Sequence, residues 1–116
     1  TVERFGIGFA PDGNKLRAAL KSHGDDKLLE CGLTGRAEDR DEVYDRFRNR
    51  LMFPIRDPRG RVVGFGGRVL GDGQPKYLNS PDTPLFDKGR LLYNLDIAGP
   101  LARKSGRLIV VEGYMD

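Results

Sequence analysis

The chain has 116 residues, one cysteine and a formal net charge of +3, which suits one small domain, or one domain and part of a second, around a modest core. The lone Cys31 excludes an internal disulfide and, with no second Cys at ligand spacing, a zinc site; we expect it to be a small buried apolar residue. The chain opens at Thr1 without a secretory signal, and no apolar run approaches the ~18 residues of a membrane span, which predicts a soluble, intracellular protein without membrane contact. We expect the chain to be a monomer.

The first third of the sequence predicts a short strand and two short helices. Residues 3–10 alternate apolar and small side chains before a Pro-Asp-Gly turn, which is typical of a strand. Asn14 is a candidate cap for a helix over 15–23, and a second short helix is predicted over 25–31. Residues 34–43 are polar, have no apolar period and predict a mobile loop.

From residue 44 the pattern predicts a β-hairpin. Apolar residues lead into Arg56-Asp57-Pro58-Arg59-Gly60-Arg61, in which Pro58 fits the second position of a turn and Gly60 supplies a positive φ. The returning strand over 62–70 contains Gly64, Gly66 and Gly67. Because glycines weaken a strand, they indicate either bulges and close approach of another backbone or ligand, or a twisted sheet edge. A short extended piece at 76–79 and a proline-rich loop follow.

The last quarter predicts a helix that leads into a buried strand. Residues 91–93 are a candidate brief strand, and a capped helix is predicted over 94–104. Residues 107–111 are a continuous apolar run, which is typical of a strand buried on both faces in a parallel sheet. The predicted class is therefore α+β, with a small mixed core subdomain of antiparallel hairpin strands at 1–90 and the beginning of an α/β module at 91–116.

The positive charge is concentrated in the middle of the chain. Residues 1–42 carry −2, residues 43–90 carry +5, and residues 91–116 are neutral. A basic stripe attracts nucleic-acid phosphates because each contact releases condensed counterions. A solvated, Arg-rich face has the same composition and remains the alternative.

Glu112 is the candidate catalytic residue. It directly follows the predicted buried strand, at the place where open α/β sheets position their ligands. With Asp116 it gives two carboxylates four residues apart, which suit a hard divalent cation or proton transfer. From the residue types alone, a solvated surface glutamate is the simpler interpretation.

The segment Val111-Glu112-Gly113-Tyr114-Met115-Asp116 resembles the first signature of the topoisomerase–primase (TOPRIM) fold in bacterial replicative DNA primases. Five upstream segments resemble core motifs of that family in the same order, namely 5–11, 46–57, 64–68, 75–81 and 86–90. The resemblance covers nearly the whole chain, and residues 12–43 are the least distinctive. A self-contained nucleic-acid-binding module and a fragment of a TOPRIM topoisomerase or nuclease are the alternatives.

The resemblance implies polymerisation of ribonucleotides on single-stranded DNA with Mg²⁺ or Mn²⁺. Glu112 matches the essential TOPRIM glutamate, as a metal ligand or as a general base, and two further aspartates of that site would follow Asp116. The residues that match the family's groove for template and nucleotide phosphates are Arg46, Arg48, Arg68, Lys76, Tyr77, Asn79 and Lys88. Tyr77 would stack on a base and Asn79 would hydrogen-bond it, although a core aromatic is the alternative for Tyr77. Simple solvated charge is expected for Arg50, Arg56, Arg59 and Arg61.

The resemblance also implies partners and modules outside this sequence. The family carries an amino-terminal zinc-binding module used in template recognition and a carboxyl-terminal domain that binds the replicative helicase. The substrates would be ribonucleoside triphosphates and the growing RNA primer. We expect this chain alone to bind single-stranded DNA weakly, in a salt-sensitive way, and to make no primers.

Overall fold

A computed structural model describes residues 1–114 of the chain as helices and two antiparallel sheets. The elements in chain order are α1 (Val2–Phe5), β1 (Gly8–Ala10), α2 (Lys15–Ala19), α3 (Asp25–Glu30), β2 (Thr34–Ala37), β3 (Glu42–Asp45), β4 (Arg50–Arg56), β5 (Val62–Val69), β6 (Tyr77–Asn79) and α4 (Leu95–Ser105). A 3-10 turn, Lys21–His23, lies between α2 and α3. The α+β class is confirmed.

The main sheet has the strand order β1-β4-β5-β6, and every neighbouring pair is antiparallel. Its centre is the β4–β5 hairpin, which confirms the predicted turn. Gly60 adopts a φ of 80° there, and the Asp57 carboxylate accepts hydrogen bonds from the backbone N–H of Arg59 and of Arg61 and from Arg61 Nε. The Arg61 backbone N–H is the main cause that lowers the pKa of Asp57, so the ionised carboxylate stabilises this turn.

Side chains of a strand alternate between the two faces of a sheet, and the main sheet has buried aromatic rings on each face. On one face Phe47, only 1% exposed, meets Phe65 edge-on at a centroid distance of 6.4 Å. An open apolar cavity of about 390 Å³ lies beside these rings. On the other face Phe53 and Phe86 are buried. This second face also carries the β6 side chains considered below.

The expected loop over 34–43 is wrong. The segment forms most of the β2–β3 hairpin, in which Thr34 pairs with Asp45 and Ala37 with Glu42. A two-stranded ribbon needs backbone pairing but no apolar alternation, so its polar sequence gave no strand signal. Asp45 is buried, and its carboxylate accepts the amides of Leu16 and Arg17, so it caps α2 in place of the expected Asn14 side chain.

The expected strand over 107–111 is also wrong within the described residues. This run has no strand pairing, and its side chains are exposed, with Ile109 at 88%. A strand is stable only when a neighbour satisfies its backbone groups, and no element of residues 1–114 lies beside it to do so. Residues 91–93 form no strand, and residues 3–5 belong to α1 instead of a strand.

Two smaller expectations concern Cys31 and the membrane. Cys31 is exposed, not buried, because it follows the last turn of α3 on the solvent side. The helices of residues 1–114 include none with the length and apolar character that a bilayer crossing requires. The division of the chain at residue 90 stays a prediction.

Candidate nucleic-acid interface

Strands β5 and β6 place a cation and an aromatic ring side by side. Arg68 pairs with Tyr77 in the strand register, and the guanidinium carbon of Arg68 lies 5.9 Å from the centroid of the Tyr77 ring. The Tyr77 residue is 45% exposed, which contradicts the core alternative for this ring. An accessible ring beside an arginine offers a stacking surface for a base and a donor for the adjoining phosphate.

Arg46 joins the same strand from the segment that precedes β4. Its Nη2 donates to the backbone oxygen of Asn79 at 3.1 Å, so the guanidinium lies against the end of β6. Within residues 1–114 its Nε is buried without a hydrogen-bond partner, which costs about 1–3 kcal/mol for a donor, and more when the donor is charged.

The three remaining predicted cations lie outside the strands themselves. Lys76 is exposed directly before β6, and Arg48 is exposed with its guanidinium 5.5 Å from the Tyr44 ring centroid. Lys88 is exposed in the loop after Phe86, and that ring packs against Gly64 on the face that also carries Arg68. Strands β5 and β6 therefore bring Arg68, Lys76, Tyr77 and Asn79 together with Arg46, whereas Arg48 and Lys88 come from separate segments.

No ion pair in residues 1–114 neutralises these cations. The ion pairs there engage other arginines, Arg17, Arg36, Arg40, Arg61 and Arg90. The charge of the groove cations, meaning Arg46, Arg48, Arg68, Lys76 and Lys88, is thus left to attract an anion. This arrangement is suited to a phosphate backbone.

The sequence interpretation missed the burial of Arg50, which was expected to be solvated; its side chain lies over Gly67, on the sheet face opposite Arg68 and Tyr77. Arg50 is only 5% exposed, and its Nη1 makes long hydrogen bonds to the backbone oxygens of Gly67 (3.4 Å) and Lys76 (3.5 Å). Burial, together with the neighbouring Arg46 and Arg48 cations, lowers the pKa of Arg50. The sequence signal for this burial was the position of Arg50 two residues before Met52, because alternate residues of a strand point to the same face.

Tyr114, two residues after Glu112, lies on the sheet face that carries Tyr77 and Asn79. Its ring stacks on Phe53 at a centroid distance of 5.3 Å, and its hydroxyl donates to Asn79 Oδ1. Burial raises the pKa of Tyr114. The ring passes over Gly66, so the close neighbour at this β5 glycine is a side chain instead of the backbone or ligand that was expected.

Glu112 is exposed, and residues 1–114 contain no cluster of three or more His, Cys, Asp or Glu side chains that could hold a metal ion. Its carboxylate is one oxygen ligand of the kind Mg²⁺ prefers. The predicted partner Asp116 lies outside the described residues.

Comparison with known proteins decides the family. A family model described as the amino-terminal domain of the DNA primase catalytic core matches residues 1–99. The chain belongs to this family. The DNA primase of Salmonella typhimurium is 56% identical over 119 residues, which cover 99% of this chain and 20% of that protein. The chain therefore spans about a fifth of the length of the curated primases it matches. The match to the primase family excludes the topoisomerase and nuclease alternatives.

Solved primase structures have the same fold. A DnaG primase catalytic domain bound to single-stranded DNA has a TM-score of 0.86 and 50% identity, over 98% of this chain and 36% of that one. The Aquifex aeolicus primase, solved with its zinc-binding and RNA polymerase domains, has a TM-score of 0.84 and 39% identity, over 97% and 28%. The primase resemblance seen in the sequence is confirmed.

Proposed function

We propose that this chain is the amino-terminal part of the catalytic core of a bacterial replicative primase, which builds RNA primers from ribonucleoside triphosphates on single-stranded DNA. The observation that carries the proposal is the exposed Tyr77 ring with the Arg68 guanidinium carbon 5.9 Å from its centroid, since no ion pair in residues 1–114 neutralises Arg68. A related primase catalytic domain has been solved with single-stranded DNA bound, which supports the same ligand for this surface.

The groove residues divide by chemistry. Arg46, Arg68 and Lys76 contact backbone phosphates, since arginine forks donate two parallel hydrogen bonds and lysine acts as a point charge. Tyr77 stacks on a template base, a contact that every base can make. Arg48 and Lys88, on separate segments, hold further template or nucleotide phosphates.

Glu112 contributes a carboxylate to the reacting end of the groove. Bound Mg²⁺ or Mn²⁺ would lower the pKa of the attacking 3′-hydroxyl and neutralise charge on the departing pyrophosphate. Glu112 serves as one ligand or as the base, and aspartates beyond residue 116 complete the site in the longer protein. This chain alone makes no primers, because it supplies only part of that site.

The longer protein also contains two further modules. A zinc-binding module on its amino-terminal side takes part in template recognition, and a carboxyl-terminal domain binds the replicative helicase. The enzyme acts in the bacterial cytoplasm at the replication fork.

The test measures primer synthesis and single-stranded DNA binding in the longer primase. We expect Glu112→Gln to abolish primer synthesis and leave DNA affinity unchanged, because its carboxylate serves the chemistry. Arg68→Ala should weaken DNA affinity, and Arg59→Ala, an exposed turn arginine, should change neither quantity. Primer synthesis by Glu112→Gln at the normal rate, or normal DNA affinity of Arg68→Ala, would contradict the proposal.

A further inference from the structure

Three strands of the main sheet present a row of residues to one face. Phe53 on β4 pairs with Gly66 on β5, and Gly66 pairs with Asn79 on β6. Paired residues of neighbouring strands point to the same face, so the three positions form a line across the sheet. The line consists of a large ring, a gap without a side chain, and an amide.

The Tyr114 side chain lies along this row. Its ring stacks on Phe53 with an interplanar angle of 19°, passes over Gly66, and its hydroxyl donates to the Asn79 side chain. A Cβ at Gly66 would lie 2.7 Å from Tyr114 Cε2 and nearer still to its Cζ, a separation that no real packing tolerates. The ring therefore occupies a place that exists only because residue 66 is glycine.

The docking of Tyr114 is selective and does not reflect general collapse of an apolar tail. The preceding apolar residues, Leu108 to Val111, remain exposed and make no strand pairing. Tyr93, two residues before α4, adds an edge-on contact to the Tyr114 ring at 5.1 Å. The carboxyl-terminal segment thus contacts the sheet through Tyr114, two residues after Glu112.

We infer that Tyr114 is a positioning residue, which sets Glu112 at a fixed distance from the Tyr77 and Asn79 side chains of β6. The inference rests on the proposed function, in which Glu112 serves the chemistry and β6 holds the template base. Gly66 is the receiving site for the ring. Displacing the ring moves the carboxylate relative to the template without removing any groove cation, so turnover falls far more than template affinity, which loses at most the support of the Asn79 side chain.

The experiment compares Gly66→Ala, Tyr114→Ala and their double variant in the longer primase. The matched control is Gly8→Ala, a strand glycine of the same sheet with open space around a new Cβ. Misplacement of about 1 Å can cost on the order of 100-fold in rate, so we expect kcat to fall by about 10- to 100-fold in both single variants. Single-stranded DNA Kd, KM for nucleotides and Tm are measured beside it and should change little.

The double variant separates positioning from general damage. Once the ring is gone, the alanine at position 66 has nothing to displace, so the double variant should match the kcat of Tyr114→Ala. Tyr114→Phe, which keeps the ring stack, should retain most of the kcat. Losses that multiply in the double variant, or a parallel loss of DNA affinity, would overturn the inference.

Glu112→Gln in the same assay distinguishes failure of the proposed role of Glu112 from failure of the positioning role of Tyr114. If Glu112→Gln makes primers normally, the proposed role of Glu112 fails, and the inference fails with it. If Glu112→Gln is inactive while Gly66→Ala behaves like Gly8→Ala, the proposed function stands and the positioning role of Tyr114 is refuted.

Discussion

Replacing Lys76 by alanine removes one groove cation and leaves the fold around it intact. The Lys76 side chain is exposed, and the bonds that hold this position are made by its backbone oxygen, which accepts the Val69 N–H at 2.9 Å. The predicted effect is therefore electrostatic. It should be seen in how strongly salt weakens the binding of single-stranded DNA.

The magnitude follows from counterion release. For single strands, each neutralised phosphate contributes about −0.7 to the slope of log affinity against log salt. If the five groove cations each neutralise one phosphate, the slope is about −3.5, and Lys76→Ala reduces it to about −2.8. Between about 50 mM and about 200 mM salt, affinity should fall about 130-fold for the parent chain and about 50-fold for the variant.

The assay is fluorescence anisotropy of a labelled single-stranded oligonucleotide, titrated at several salt concentrations. Arg59→Ala is the matched control, since it removes one positive charge from an exposed turn outside the groove and should keep the parent slope. Equal slopes for Lys76→Ala, Arg59→Ala and the parent would refute the assignment of Lys76 to a phosphate.

Three further predictions concern the fold that supports the groove. Phe47→Ala should lower the free energy of unfolding by about 3–5 kcal/mol in a denaturant titration, because the ring is fully buried; a loss below about 1 kcal/mol would show that the core does not depend on it. Because the pKa of Asp57 is lowered in the folded protein, its carboxylate stabilises the fold above the unfolded pKa of about 3.9, and this stabilisation is lost as pH falls through the folded pKa. Asp57→Asn should therefore flatten the acid side of a profile of Tm against pH. An unchanged profile would contradict this. Arg50→Met should raise the free energy of unfolding by roughly 1 kcal/mol in a denaturant titration, because it removes a buried charge that has no carboxylate partner within residues 1–114; a lower unfolding free energy would contradict this.

Turn and cap residues predicted the elements whose geometry depends on neighbouring residues in the sequence. The β4–β5 hairpin follows from Pro58 and Gly60, and α4 ends at Gly106, which adopts the left-handed conformation. Long-range partners were not predictable in this way. The α2 cap comes from Asp45, about 30 residues beyond the helix start, and no residue pattern near Lys15 indicates it.

The candidate nucleic-acid interface likewise combines features that the sequence predicts with contacts that it does not predict. The basic segment and the motif around Tyr77 mark the groove in the sequence, but the neighbours of each side chain depend on strand pairing. Burial of Arg50 and the meeting of Tyr114 with Asn79 both depend on the register of β5 with its neighbours. The family resemblance indicated which residues matter, whereas these contacts required the three-dimensional structure.

The strand order of the main sheet also bears on how the chain folds during synthesis. Phe9 of β1 pairs with Leu51 of β4, 42 residues further along, whereas β4 and β5 are joined by a tight turn. At ~5–20 residues per second, β1 leaves the ribosome roughly 2 to 8 s before its partner exists. A strand of three residues that contains a glycine offers other nascent chains little backbone to pair with during that interval. The brevity of β1 thus protects the chain at the stage when its main sheet is not yet formed.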